Sequence, residues 1–146
     1  MSIRRVLVVE DEPELALLLR KKLTADGFLC ATASDGAQAW AAAKRETPDA
    51  VILDLMLSGE HGLMLLRRFK SDPVLRQAKV IVTTAWTNEQ TRLEAQRLGA
   101  SAFVEKPFSL EALVGILRQL LGVAPGAAAS QDPPPNAAAT GGIILP

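Results

Sequence analysis

Glu10 and Asp11 follow the apolar run Val6-Leu7-Val8-Val9, Asp54 follows Ala50-Val51-Ile52-Leu53, and Lys106-Pro107 stands just beyond Ala102-Phe103-Val104. Short β-branched runs that alternate with helical stretches imply a parallel sheet, and such a sheet lines up the carboxyl ends of its strands along one edge, where ligands bind. Three carboxylates and one ammonium would then meet there. Like charges so close resist joint ionisation, so a cluster of this kind holds a divalent cation or shares a proton. The chemistry advertised is that of a metal-and-phosphate site.

The elements that must position these residues are legible as five βα units. Strand-like runs occur at Arg5-Val9, Phe28-Thr32, Ala50-Leu53, Val80-Thr83 and Ala102-Val104, each followed by a segment of helical periodicity. The first helix is announced by Asp11 or Glu12 as N-cap with Pro13 at its first position, and carries Leu15, Leu18, Leu19 and Leu23 before Gly27 marks its end. The second and fourth helices open on candidate capping boxes, Asp35 with Gln38 and Thr87 with Gln90. Leu63, Leu66 and Phe69 mark the buried face of the third helix; Leu110, Leu113, Val114, Leu117, Leu120 and Leu121 give the fifth a broad apolar stripe. The fourth has only Leu93 and Leu98 as large apolar residues, so little burial fastens it and it is the helix expected to shift.

Composition narrows the partners. A chain of 146 residues with 49% apolar residues supports one domain with a proper core. Sixteen basic residues balance sixteen acidic ones, so no overall field draws the chain to nucleic acid or to an anionic membrane. Cys30 is the only cysteine, which excludes an internal disulfide and a cysteine zinc site and suits a small buried strand residue. No apolar run approaches the ~20 residues needed to span a bilayer, and Met1-Ser2 leads straight into a strand, so a cytoplasmic protein is expected. From Val123 to Pro146 the periodicity stops in favour of alanine, glycine and Pro133-Pro134-Pro135, a composition that favours a flexible tail. The apolar Ile143-Ile144-Leu145 within it could serve as a docking motif, although disorder is the commoner state of such a terminus. There is no internal repeat.

Together these residues resemble a response-regulator receiver domain, from about Ile3 to Gly122. The resemblance is carried by Glu10-Asp11, by Asp54 within Val51-Ile52-Leu53-Asp54-Leu55-Met56, by Gly62, by Thr84-Ala85 and by Lys106-Pro107-Phe108. It implies an α/β fold, a doubly wound, flavodoxin-like (βα)5 arrangement with a five-stranded parallel sheet in the order 2-1-3-4-5, so that residues 1–122 form the receiver and 123–146 the tail. It further implies that Asp54 accepts a phosphoryl group from a histidine kinase or phosphotransfer protein. Mg2+ would be held by Glu10, Asp11, Asp54 and the backbone carbonyl of Met56, with Glu10 acting through a bound water. Lys106 and the Thr84 hydroxyl would contact phosphoryl oxygens, and the Lys106-Pro107 bond would be cis. Thr84 and Phe103 would then form the switch that alters the face of the fourth helix, fifth strand and fifth helix for an unidentified downstream protein, as a monomer or a phosphorylation-dependent dimer. Such a chain is a phosphoacceptor that assists its own phosphotransfer and slow self-dephosphorylation, rather than an enzyme on a separate substrate.

The residues agree with that implication on physical grounds. Phosphoryl transfer passes through a loose transition state with charge spread over the equatorial oxygens, so it asks chiefly for alignment and charge neutralisation. Mg2+ prefers octahedral oxygen coordination and retains waters, and two carboxylates, a carbonyl and a phosphoryl oxygen suffice. Duller roles exist for each residue alone: Asp11 as a helix cap, Asp54 as a surface carboxylate, Thr84 as a strand end, Lys106 as a solvated charge. Their joint placement makes those roles a poor account. His61 reads as a solvated loop residue and Trp40 as packing. Two departures from the family pattern are Ser58, where proline is usual, and the bulky Trp86 two residues beyond Thr84.

Three other readings compete. A flavodoxin-like cofactor binder needs neutral donors after the first strand, where this chain has Glu10-Asp11-Glu12-Pro13. A phosphohydrolase using Asp54 as nucleophile needs an acid/base carboxylate two residues on, where Met56 stands. A degenerate receiver that binds without phosphorylation is disfavoured by the intact set Glu10, Asp11, Asp54, Thr84 and Lys106.

Overall fold

The structure is a computed structural model that describes residues 3–57, 59–85 and 88–124, with the backbone alone at Glu60 and at 143–144. Five parallel strands form the body of one sheet: β1 (Arg5–Val9), β2 (Leu29–Ala33), β3 (Ala50–Asp54), β6 (Lys79–Thr84) and β7 (Ala102–Glu105). They lie in the order β2-β1-β3-β6-β7, so the five parallel strands stand in the order 2-1-3-4-5 of their succession along the chain, as the resemblance implied. Two short additions were not foreseen. A hairpin of β4 (Met56–Leu57) and β5 (Glu60–His61) forms directly after β3, and β8 (Ile143–Ile144) pairs antiparallel with β7. Residues 1–2, Ser58, Trp86, Thr87, residues 125–142 and 145–146 lie outside the described residues, and with them the two departures from the family pattern and the expected flexible tail.

Five helices cover the sheet: α1 (Pro13–Ala25), α2 (Gly36–Arg45), α3 (Gly62–Ser71), α4 (Glu89–Arg97) and α5 (Leu110–Leu121). Because side chains alternate along a strand, Val6 and Val8 of β1 face one side and Leu7 and Val9 the other. Val6, Val8, Ile52 and Ile81 pack with Leu19 and Leu23 of α1 and with Leu113 and Leu117 of α5. Leu7, Val9, Val51 and Leu53 pack with Ala39 and Ala43 of α2, Leu65, Leu66 and Phe69 of α3 and Ala95 of α4. Burial on both faces is why the strands read as unbroken apolar runs rather than as alternating ones. Each fully buried leucine or isoleucine contributes about 1.5–3 kcal/mol against leaving it in water.

Several local expectations need correction. Of the two candidate N-caps of α1 the chain uses Glu12, which makes no side-chain capping bond. Leu18 is half exposed, the inward face of α1 being set by Leu19 and Leu23. In α3 it is Leu65, with Leu66 and Phe69, that is fully buried, while Leu63 is only partly so. The cap of α4 is Asn88, whose Oδ1 accepts from the Thr91 N–H at 2.7 Å, one residue later than the anticipated box. His61 is exposed, as read, and it also serves as the N-cap of α3, its Nδ1 accepting from the Leu63 N–H at 3.1 Å. Cys30 is only partly buried, on edge strand β2. The Asp35 cap of α2 does form, accepting from the Gln38 N–H at 2.8 Å while Gln38 reaches back to the Ser34 N–H at 3.0 Å. Trp40 packs as read, stacked on Phe69 with ring centroids 5.9 Å apart. Ala95 is the one fully buried residue of α4, and Leu93 is half exposed, so this helix is the least anchored by apolar burial.

Candidate phosphoacceptor and metal site

Strands β1 and β3 are neighbours, and their carboxyl ends deliver Glu10, Asp11 and Asp54 to one place. One carboxylate oxygen from each lies within 4.8 Å of the others. Glu10 and Asp54 are each only 3% exposed, and Asp11 sits at intermediate depth, so two of the three acids have been taken largely out of water. That position is where the chain reverses its winding between β1 and β3, the crevice in which ligands bind open α/β sheets.

The counter-charge comes from the far side of the sheet. Lys106, just after β7, places Nζ 2.8 Å from Glu10 Oε1 and 3.1 Å from Asp54 Oδ2, donating to both. Its backbone is anchored where the Lys106 N–H donates to the Thr84 carbonyl at 2.8 Å. The Lys106-Pro107 peptide is cis. The second oxygen of Asp54 accepts from the Met56 N–H at 3.0 Å, and the second oxygen of Glu10 accepts from the Glu12 N–H at 3.2 Å. Both carboxylates are therefore gripped at both oxygens, which fixes their direction. Thr84 closes β6 and is fully buried; Met56 is half exposed beside Asp54. Phe103 lies in β7, 5% exposed, in the same apolar layer as Val82, Ala95 and Ala100.

Electrostatics follow from the crowding. Burial, and behind it the charge of Asp54, lift the Glu10 carboxyl above its ordinary value, against the hydrogen bond from Lys106. For Lys106, burial works against the charge, but the hydrogen bond to Glu10 and the charges of Asp54 and Glu10 outweigh it and raise the ammonium above its ordinary value. One ammonium among three carboxylates leaves a net negative pocket built of hard oxygen donors. That set fits a small divalent cation such as Mg2+, for which Glu10, Asp11 and Asp54 supply the oxygens.

Gly62 was singled out in the sequence for its place alone, and the structure gives the reason. A Cβ there would lie 2.6 Å from the Asp54 carbonyl oxygen and 2.6 Å from Leu55 Cα. The Gly62 N–H donates to the Leu55 carbonyl at 2.9 Å, so the start of α3 is pressed against the backbone that carries Asp54. Only a residue without a side chain permits this approach. Asp11, Asp54, Glu10 and Lys106 are thus brought together as the spacing suggested, and Thr84 and Met56 border them. The role of His61 in capping α3 next to Gly62 was missed, since a histidine cap carries no strong sequence signal.

Comparison with known proteins identifies the family. Residues 6–118 match the family model described as the response regulator receiver domain. The chain is 38% identical over 116 residues to response regulator PleD of Caulobacter vibrioides, covering 80% of this chain and 26% of that protein. It is 37% identical over 117 residues to the phosphate regulon transcriptional regulatory protein PhoB of Rhizobium meliloti, covering 80% of this chain and 52% of PhoB. The chain thus spans from about a quarter to about half of the length of these curated relatives. Among solved structures, the receiver domain of a Pseudomonas aeruginosa sensor histidine kinase, with a magnesium ion coordinated in its active-site cleft, superposes with a TM-score of 0.75 at 26% identity, covering 83% of this chain and 99% of that one.

Proposed function

Because this chain belongs to the response regulator receiver domain family, we propose that it is a phosphorylation-controlled switch in which Asp54 takes a phosphoryl group from a histidine kinase or phosphotransfer protein. The observation that carries the reading is the environment of Asp54: a buried carboxylate at the end of β3, within 4.8 Å of two further acids and hydrogen-bonded to a lysine. Structural ion pairs do not need three carboxylates to one cation. A site that gathers a metal and neutralises a transferred phosphoryl group does.

The roles follow from the contacts. Glu10 and Asp11, with Asp54 and the Met56 carbonyl, would hold Mg2+, Glu10 through a water. When bound, the cation offsets the acidic charge and polarises the phosphoryl oxygens. An Asp54 oxygen attacks phosphorus, the bond from phosphorus to the donor nitrogen breaks, and the leaving imidazole takes up a proton. Lys106, which in the resting site holds Glu10 and Asp54, exchanges one of these partners for a phosphoryl oxygen, and Thr84 donates its hydroxyl to another. The inward shift of Thr84 vacates space that Phe103 fills, and the face made of α4, β7 and α5 changes for a downstream protein.

The acyl phosphate is lost by attack of water in line with phosphorus. Neither Met56, half exposed beside Asp54, nor Trp86, two residues beyond Thr84 in the sequence, carries a carboxylate or amide to position that water. Hydrolysis is therefore slow, its barrier raised by ~1–2 kcal/mol, or ~5–30-fold in rate. No helix among the described residues is long and apolar enough to cross a membrane; the reading places the chain in the cytoplasm, where an ATP-fed phosphodonor is made. The test is incubation with a small phosphodonor and Mg2+ followed by intact mass, which should rise by one phosphoryl group.

A further inference from the structure

The outer edge of β7 is occupied. Ile143–Ile144 runs antiparallel to it, with Ile144 opposite Phe103 and Ile143 opposite Val104, so the sheet continues past its last parallel strand. On the inner side, the Lys106 N–H donates to the Thr84 carbonyl at 2.8 Å, in phase with the pairing of Thr84 and Glu105. Backbone groups alternate in direction along a strand, so those of Val104 face β6 as Lys106 does, and the N–H and C=O of Phe103 face outward, toward Ile144. An edge that offers such groups is a template for any extended chain.

The sequence supplies a matched occupant for that edge. Ile143-Ile144-Leu145 is the one cluster of large apolar residues beyond Val123, in a stretch whose only charge is Asp132. β-Branched isoleucine favours a pleated strand. Eighteen residues, 125–142, separate Ala124 from Ile143. A chain of that length reaches up to ~60 Å, well beyond the ~13 Å of a four-residue strand, so the tether permits pairing within one molecule.

We infer that Ile143–Ile144 is a strand cap supplied by the chain itself, which occupies the edge of β7 and withholds the face of α4, β7 and α5 from partners until Asp54 is phosphorylated. The trigger rests on the reading of Asp54 as phosphoacceptor; the pairing does not. Coupling runs through Phe103, which lies opposite Ile144 in register and is the residue that the switch moves. The neighbouring α4, held by Ala95 alone among fully buried residues, is the element freest to accommodate release. Linkage makes the effect reciprocal: a cap that favours the unphosphorylated state also opposes phosphorylation.

The test is amide hydrogen exchange at Phe103 in the full chain, in Ile144→Pro, which removes the N–H opposite Phe103, and in Ile144→Val, which keeps it. Each is measured with and without beryllofluoride plus Mg2+. We expect exchange at Phe103 to be on the order of tenfold faster in Ile144→Pro than in the parent and Ile144→Val, and the parent to approach the Ile144→Pro rate when beryllofluoride binds. Equal protection in the parent and Ile144→Pro would overturn the cap, and protection that grows with protein concentration would assign the strand to a second copy instead. Protection that survives bound beryllofluoride would overturn the release. Failure of beryllofluoride to bind at all would refute the Asp54 reading, while the comparison made without it still decides the pairing.

Discussion

A Cβ on Gly62 would stand 2.6 Å from the carbonyl oxygen of Asp54. The start of α3 is therefore seated directly on the peptide that follows the proposed phosphoacceptor, and the position of Asp54 depends on a residue eight places further along the chain. Gly62→Ala must push two pieces of backbone apart, since the atoms it meets belong to Asp54 and Leu55 and cannot rotate away. We expect a loss of about 1–3 kcal/mol in urea unfolding, together with slower phosphorylation. Unchanged stability would mean that α3 does not press on Asp54.

Asp11 and Lys106 should separate metal binding from phosphoryl chemistry. Asp11→Ala removes an oxygen donor from the acidic cluster and should weaken Mg2+ binding and phosphorylation together. Lys106→Ala should spare metal affinity and impair phosphorylation or its readout. Magnesium titrations of both variants against the parent check this; equal affinity in Asp11→Ala would remove Asp11 from the ligand set.

Met56 bears on the lifetime of the phosphorylated state. Met56→Asn places an amide where water must be oriented, and it should shorten that lifetime by up to ~5–30-fold, the factor that ~1–2 kcal/mol in the barrier represents. Decay of the phosphoprotein, followed by intact mass over time, measures it directly.

Cys30 should be a slow nucleophile. Burial pushes its thiol up to about 11, only partly offset by the charge of Arg20. A thiol must lose its proton to react, so at neutral pH alkylation should be on the order of a hundredfold slower than for a thiol of ordinary pKa near ~8.5. Alkylation rates followed by mass, with the urea-unfolded chain as the reference, provide the check.

Most of the sheet was legible because a parallel strand buried on both faces must be apolar throughout, and Val6 to Val9, Ala50 to Leu53 and Val80 to Thr83 leave no other reading. The charges of the site were legible for a related reason: Glu10, Asp11, Asp54 and Lys106 interrupt or follow those runs, where burial makes a charged group costly without a purpose. Less was visible where one residue of register decides the matter. Leu18 and Leu19 are adjacent leucines, and only packing selects Leu19 for the core. Thr87 and Asn88 are both good caps, and the chain starts α4 from Asn88. The bridging of Glu10 and Asp54 by Lys106 joins residues 96 and 52 positions apart, and spacing alone could not say which oxygens meet. Pairing of Ile143–Ile144 with β7 escaped for the same reason, since two residues carry no periodicity and their partner lies some 40 positions away.

The central claim is that Asp54 alone takes the phosphoryl group, because it alone lies between the acidic pair and Lys106. Its most direct measurement is the intact mass of the parent and of Asp54→Asn after incubation with a small phosphodonor and Mg2+. The account predicts a gain of one phosphoryl group in the parent and none in the variant; an equal gain in both would contradict it.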